Sequence, residues 1–175
     1  MGTYVNPSCD GFARALKRER YVDKTGLVSY INSTLDTEAC ESCVTMPRRF
    51  GKTTMSDMLT AYDSTGCDSR KLFAKLAIAK DPGFEANLNK CPVISFSLMD
   101  FLPSLKVQIG SIETAVTYMA SILADELRQE YPGAGIEDGV TLQDALVTVS
   151  KHLDKRAETE EGISRTRFII IDEWT

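Results

Sequence analysis

The sequence predicts an α/β fold with parallel strands, and three observations predict it. The turn Pro47-Arg48-Arg49-Phe50-Gly51-Lys52-Thr53 lies between a short strand-like stretch and a helical pattern. Phe168-Ile169-Ile170-Ile171 is a short apolar run with three β-branched residues, suited to a strand buried on both faces. Strand-like and helical segments alternate, as they do when helical crossovers join parallel strands.

The turn carries chemistry. Gly51-Lys52-Thr53 is the end of a phosphate-binding loop, with Cys43-Val44-Thr45 as the last strand residues and Thr53 onward as the helix. Successive backbone N–H groups of such a loop curl into an anion site, and the helix N-terminus adds partial positive charge. The Lys52 ammonium can reach terminal phosphates, and the Thr53 hydroxyl is a hard oxygen ligand for magnesium. The general pattern places a glycine four residues before Gly51; here that position is Met46. On these residues alone, a chance tripeptide on a surface loop is the alternative. The binding candidates are Pro47, Arg48, Arg49, Phe50, Gly51, Lys52, Thr53 and Thr54.

The apolar run at the other end leads into Asp172-Glu173. Neighbours on a strand point to opposite faces, so the two carboxylates take different roles. Asp172, with Thr53, is the magnesium candidate, holding the ion directly or through water. Glu173 is the catalytic candidate, polarising the water that attacks a γ-phosphate. A strand end with solvated acids is the alternative. Both motifs in this order point to a nucleotide-hydrolysing site that uses Mg2+.

Taken in order, residues 10–19 read as a short helix that Asp10 can cap, with Phe12 and Leu16 on one face. Lys17-Arg18-Glu19-Arg20 reads as a solvated face or a phosphate or partner contact. Tyr21 to Leu35 is a turn and a helix, capped by Asp23 or Thr25, with Leu27, Tyr30, Ile31 and Leu35 at helical spacing. Strand one is expected at Ser42–Met46. Met55, Met58, Leu59 and Tyr62 then keep one helix face on the sheet, and Gly66 is the expected C-terminal cap. Ser69–Leu76 and Phe84–Leu88 read as short helices on either side of the turn Asp81-Pro82-Gly83.

Strand two is expected at Pro92–Leu98, with Asp100 just past it as a minor site candidate or a turn residue. Gln108–Gln129 is the longest predicted helix, through Ile109, Ile112, Val116, Met119, Leu123 and Leu127. A further helix starts at Thr141, with Leu142, Leu146, Val149 and Leu153 on one face and His152, expected to be exposed, beside them. Glu158–Arg165 is a charged loop into the last strand. No repeat or linker interrupts the chain, so residues 1–175 read as one domain.

The 175 residues suffice for one real core, and 43% hydrophobic with 26% charged residues is ordinary for a soluble protein. A net charge of −5 argues against a broadly basic nucleic-acid surface, though not against a local basic patch. No apolar run is long enough for a membrane span, and the N-terminus lacks the pattern of a signal peptide. Cys9, Cys40, Cys43, Cys67 and Cys91 are unevenly spaced and odd in number, which is no disulfide framework. Cys40 and Cys43 form a C-x-x-C without a second pair to complete a zinc site. Reduced, mostly buried thiols in a cytoplasmic protein are the expectation. With a single histidine and no matching nucleophile, the sequence makes no case for a Ser/His/Asp or Cys/His mechanism.

Several blocks together resemble the bacterial AAA-ATPase-like family of predicted P-loop ATPases. They are Tyr21-Val22-Asp23-Lys24-Thr25-Gly26-Leu27, Pro47-Arg48-Arg49-Phe50-Gly51-Lys52-Thr53, Cys67-Asp68-Ser69-Arg70, Leu88-Asn89-Lys90-Cys91-Pro92-Val93-Ile94 and Ile169-Ile170-Ile171-Asp172-Glu173. The second block is the most specific. The family usually lacks the first loop glycine and often has arginine there, so Met46 is a variation. The resemblance implies a three-layer P-loop NTPase core of the ASCE type, with Glu173 as the catalytic glutamate. It implies that the segment at Tyr21 borders an adenine pocket, where Tyr21 stacks on a base or packs the N-terminal helix.

The implied sheet order is five-one-four-three-two, and family members usually run on past this point, often into a PD-(D/E)XK nuclease-like domain. The chain is therefore expected to be truncated after the Asp-Glu strand, a single incomplete domain with a gap between strands one and three. Three functions follow: an ATPase, a nucleotide-binding module without turnover, or an interaction protein that keeps the fold.

Overall fold

The computed structural model describes residues 2–35, 37–38, 40–97, 99–101, 112–160 and 168–172. Its sheet, among the described residues, has two parallel strands. These are β1 (Val93–Ser97) and β2 (Phe168–Asp172), in register from Val93 opposite Phe168 to Ser97 opposite Asp172. The expected strand two and the expected last strand, at Phe168–Ile171, are thus neighbours. The N-terminal segment occupies the other edge of β1: Asn6 N donates to Val93 O at 2.7 Å, and Ser95 N donates to Tyr4 O at 2.9 Å. Glu126 holds that segment in place, its carboxylate accepting from the backbone N–H groups of Thr3, Tyr4 and Val5 at 3.1, 2.8 and 2.9 Å.

Helix α1 (Asp10–Leu16), α2 (Gly26–Thr34), α3 (Lys52–Asp63), α4 (Arg70–Phe73) and α5 (Phe84–Asn87) gather around one apolar core. Phe12 stacks on Phe73 with centroids 5.0 Å apart, and Tyr62 meets Phe73 edge-on at 5.4 Å. The Tyr62 hydroxyl donates to Phe84 O at 3.0 Å, so its buried polar end is satisfied. A second core lies around α6 (Ile112–Glu130) and α7 (Leu142–Thr159), through Val5, Leu127, Ile136, Ala145, Val149 and Leu153. Thr141 caps α7, its hydroxyl accepting from Asp144 N at 3.1 Å. Helix α3 contacts α1 and both strands, which carries its N-terminus to the edge of the sheet.

Several expectations are corrected. Ser42–Met46 forms no strand; Cys43, Val44 and Thr45 are exposed and Met46 is half-buried. An isolated extended segment gains no ladder bonds, and none of the described strands pairs with it. The run 168–171 is not buried on both faces: Ile169 is 59% and Ile171 49% exposed, while Phe168 and Ile170 are half-buried.

Asp10 is the first residue of α1 rather than its cap, and Cys9 takes the cap position. In α2, Val28 is buried and Tyr30 is exposed, because Val28 rather than Tyr30 faces the first core. Helix α3 ends at Asp63 with Ser64 as its C-cap, and Gly66 has no left-handed backbone. Gly66 is there for space: a Cβ would stand 2.2 Å from Asn6 O. His152 is half-buried, beside Gly133.

None of the five cysteines forms a disulfide, but Cys40 and Cys43 are exposed and Cys91 alone is buried. Leu98, the expected helical start at Gln108–Ser111 and most of the loop before β2 lie outside the described residues.

Candidate functional site

The chain enters α3 through two left-handed residues, Arg49 at φ 68° and Gly51 at φ 85°. They bend the backbone twice within three residues, and Phe50 N closes the first bend on Pro47 O at 3.3 Å. Gly51 is the N-cap of α3, and its carbonyl accepts from Met55 N at 3.0 Å. Met46 is not left-handed. The conformation that would demand glycine falls at 49 and 51, so methionine at 46 carries no backbone strain.

Lys52 begins α3, and its Nζ donates to Met46 O at 3.0 Å. The free N–H groups of the first turn and the Lys52 ammonium therefore share one end of the helix, an arrangement suited to an anion. Pro47, Arg48, Arg49 and Phe50 are all exposed, Phe50 by 61%.

Thr53 and Asp172 both line an open cavity of about 650 Å3, with Ser97, Asp100, Ser56 and Asp57. Asp172 also lines a groove of about 380 Å3 with Lys52, Met46 and the 42–45 segment. The end of β2 thus borders both the lysine and the threonine side of the loop. A hydroxyl and a carboxylate are hard oxygen donors that fit magnesium. Among the described residues no group of three or more acidic, histidine or cysteine side chains forms a cage. Magnesium suits such a site, since it keeps waters and takes one or two protein ligands beside phosphate oxygens. Glu173 lies outside the described residues.

Asp57 was not singled out by sequence pattern. Its carboxyl is pushed up by burial, opposed by Arg14 and reinforced by the charge of Asp172. Gly11 makes room for it, since a Cβ there would stand 2.6 Å from Asp57 Oδ1. Its position four residues after Thr53, on the same helix face, was the available signal. Asp100 reaches the same cavity, with its Oδ2 accepting from Ser97 N at 3.4 Å.

The other flank of the loop is cationic. Arg18, Arg20, Lys24 and Arg49 line a cavity of about 440 Å3 with Tyr21, Phe50 and Thr54. Arg18 Nη1 donates to Thr54 Oγ1 at 3.4 Å. Tyr21 is half-buried and meets Phe12 edge-on at 6.0 Å, so it packs the N-terminal helix while also lining this cavity. Burial, then the charge of Asp23, pushes its hydroxyl up to about 12 against a bond from the Lys24 backbone. Of the charged tetrapeptide 17–20, Arg18 and Arg20 line this cavity while all four residues stay exposed.

No described helix is long and apolar enough to cross a membrane. No curated protein and no solved structure matches the chain. The family model described as Predicted AAA-ATPase matches residues 11–175, and the chain belongs to this AAA-ATPase-like family.

Proposed function

We propose that the chain binds ATP with magnesium at residues 46–54 and hydrolyses it through an ASCE-type P-loop site. The observation that carries this reading is that Asp172, at the end of β2, lines one groove with Lys52 and another cavity with Thr53, the first residues of α3. In this reading Lys52 and the α3 N-terminus hold the phosphates, while Thr53 and Asp172 hold magnesium. Glu173 orients the attacking water. Arg48 and Arg49 supply further positive charge to the phosphates, and Phe50 offers an exposed aromatic face beside them. Pro47, Gly51 and Thr54 shape the loop.

A binding module without turnover is the second reading. It is favoured by the exposure of Ile169 and Ile171, which leaves the strand that carries Asp172 thinly covered. Titration with a fluorescent ATP analogue, with and without magnesium, tests binding. Phosphate release by wild type and Glu173→Gln separates the readings. Saturable, magnesium-enhanced binding with release lost in the variant is expected. No binding sinks both readings, and binding without release in wild type leaves the second.

A further inference from the structure

Between α1 and α2 the chain reads Tyr21-Val22-Asp23-Lys24-Thr25. The residues on either side of Lys24 are anchored to the core. Asp23 Oδ1 accepts from Thr25 N at 2.9 Å and from the Thr25 hydroxyl at 2.7 Å. Its other oxygen accepts from Ala77 N at 2.8 Å. Thr25 is fully buried, and its hydroxyl accepts from Ile78 N at 3.1 Å. Burial raises the Asp23 carboxyl, but the Thr25 and Ala77 bonds outweigh it and hold the group below its ordinary range. Asp23 and Thr25 therefore clip this segment to the turn Ala77–Lys80 beneath α2.

Lys24 reaches from that clip to the 46–52 loop. Its Nζ donates to Phe50 O and lies 3.9 Å from Met46 Sδ. A Cβ at Gly51 would stand 3.6 Å from the same nitrogen. One ammonium thus touches both limbs of the loop, and Lys52 closes the same loop on Met46 O. The Phe50–Gly51 peptide is trans. In a trans peptide the C=O and N–H point opposite ways. Holding the Phe50 carbonyl toward Lys24 therefore turns the Gly51 N–H away from Lys24.

We propose that Lys24 is a positioning residue for phosphate binding: it fixes the Phe50–Gly51 peptide so that the Gly51 N–H faces the bound polyphosphate. The proposal rests on the ATP reading of the 46–54 site and gives Met46 a role, since its sulfur completes the lysine's contact where glycine has none. Lys24 acts through the loop and need not touch the nucleotide.

The test compares wild type, Lys24→Met, Lys24→Arg and Lys52→Ala. Limited trypsin digestion, read by mass at Arg48 and Arg49, reports the loop without nucleotide. Lys24→Met is expected to be cut there about tenfold faster, as a loop that opens more often is, with the melting temperature close to wild type. In titration with the fluorescent ATP analogue, Lys24→Met is expected to bind about tenfold more weakly, and Lys24→Arg to recover most of both effects. Cleavage at wild-type rate in Lys24→Met overturns the proposal whatever the nucleotide result. So does an arginine variant no better than methionine, or a loss explained by a lower melting temperature. Absence of ATP binding in wild type instead removes the ATP reading, while faster loop cleavage in Lys24→Met still shows that Lys24 sets the loop.

Discussion

Lys52 Nζ donates to the Met46 carbonyl at 3.0 Å, so the loop's own lysine ties the start of the loop to the first turn of α3. Phosphate oxygens are stronger acceptors than a peptide carbonyl, and ATP is expected to draw the ammonium away from Met46. Lys52→Ala should therefore lose ATP binding and lower turnover by about 100- to 1000-fold, the scale of removing one transition-state charge donor. Its melting temperature should barely move, because Lys52 belongs to neither apolar core. Equal ATP affinity in mutant and wild type would remove Lys52 from the site.

Arg49 holds φ at 68°, a region that costs a non-glycine residue about 1–2 kcal/mol. Arg49→Gly and Arg49→Ala both delete the exposed cation, but only glycine relieves the backbone. Glycine gives back part of the gain through greater freedom in the unfolded chain. Chemical denaturation is expected to place Arg49→Gly above Arg49→Ala by up to about 1 kcal/mol. Both variants should weaken ATP binding alike if Arg49 contributes through its charge. A glycine variant less stable than the alanine one would mean that the left-handed bend is absent in solution.

What was legible in the sequence follows from locality. Helix α3 and its loop were readable because Met55, Met58 and Tyr62 repeat at helical spacing behind Gly51-Lys52-Thr53. The run 168–171 was readable as a strand, but not its exposure, since apolar composition does not say how many neighbours a strand will have. The same limit explains Ser42–Met46: a β-prone stretch becomes a strand only with a partner to complete its hydrogen bonds. Phosphate-loop chemistry was read from Lys52 and Thr53, whereas the clip at Asp23 and Thr25 depends on Ala77 and Ile78, some fifty residues away. Asp57 was missed because its meaning comes from Gly11 and Asp172, which only the fold brings near.

Asp63, at the end of α3, is buried with 2% exposure, and its Oδ2 has no hydrogen-bond partner. Burial alone pushes its carboxyl well above the usual range. A raised native value means that the folded state prefers the protonated acid. Its contribution to stability is full below the unfolded value of 3.8 and is lost as pH rises through the raised native value. Asp63→Asn keeps the shape without the charge, so it should flatten that part of the pH profile and gain on wild type at higher pH. Denaturant midpoints across pH check this. Parallel profiles for the two proteins would show that Asp63 is not buried as described.

Gly66 lets the chain after α3 pass close to the N-terminal segment, and a Cβ there would meet Asn6 O at 2.2 Å and the Ser64 hydroxyl at 3.3 Å. The nearer atom is backbone, already fixed because Asn6 N donates to Val93 O and Val93 N donates to Asn6 Oδ1 at 2.9 Å. Gly66→Ala should cost about 1–3 kcal/mol, the usual scale of overpacking. Thermal melts read the loss directly, and a variant as stable as wild type would place the N-terminal segment elsewhere.

Asp172 and Thr53 line one cavity from opposite elements, the end of β2 and the first turn of α3. In the proposed site both serve magnesium, whose remaining ligands are waters and phosphate oxygens. Asp172→Asn keeps the size of the side chain but removes its charge, which a divalent ion needs more than a nucleotide does. The prediction is therefore a selective one. ATP affinity without magnesium should be unchanged or slightly improved, because a negative charge near the phosphates is gone. The gain that magnesium adds should shrink by about tenfold, equivalent to about 1.4 kcal/mol. Thr53→Val, which removes the hydroxyl but keeps the shape, should shrink the same gain. Titrations of wild type and both variants with and without magnesium measure it. A loss of affinity in both conditions alike would move Asp172 from ion binding to the structure of the β2 end, and an unchanged magnesium gain would exclude it from the ion site altogether.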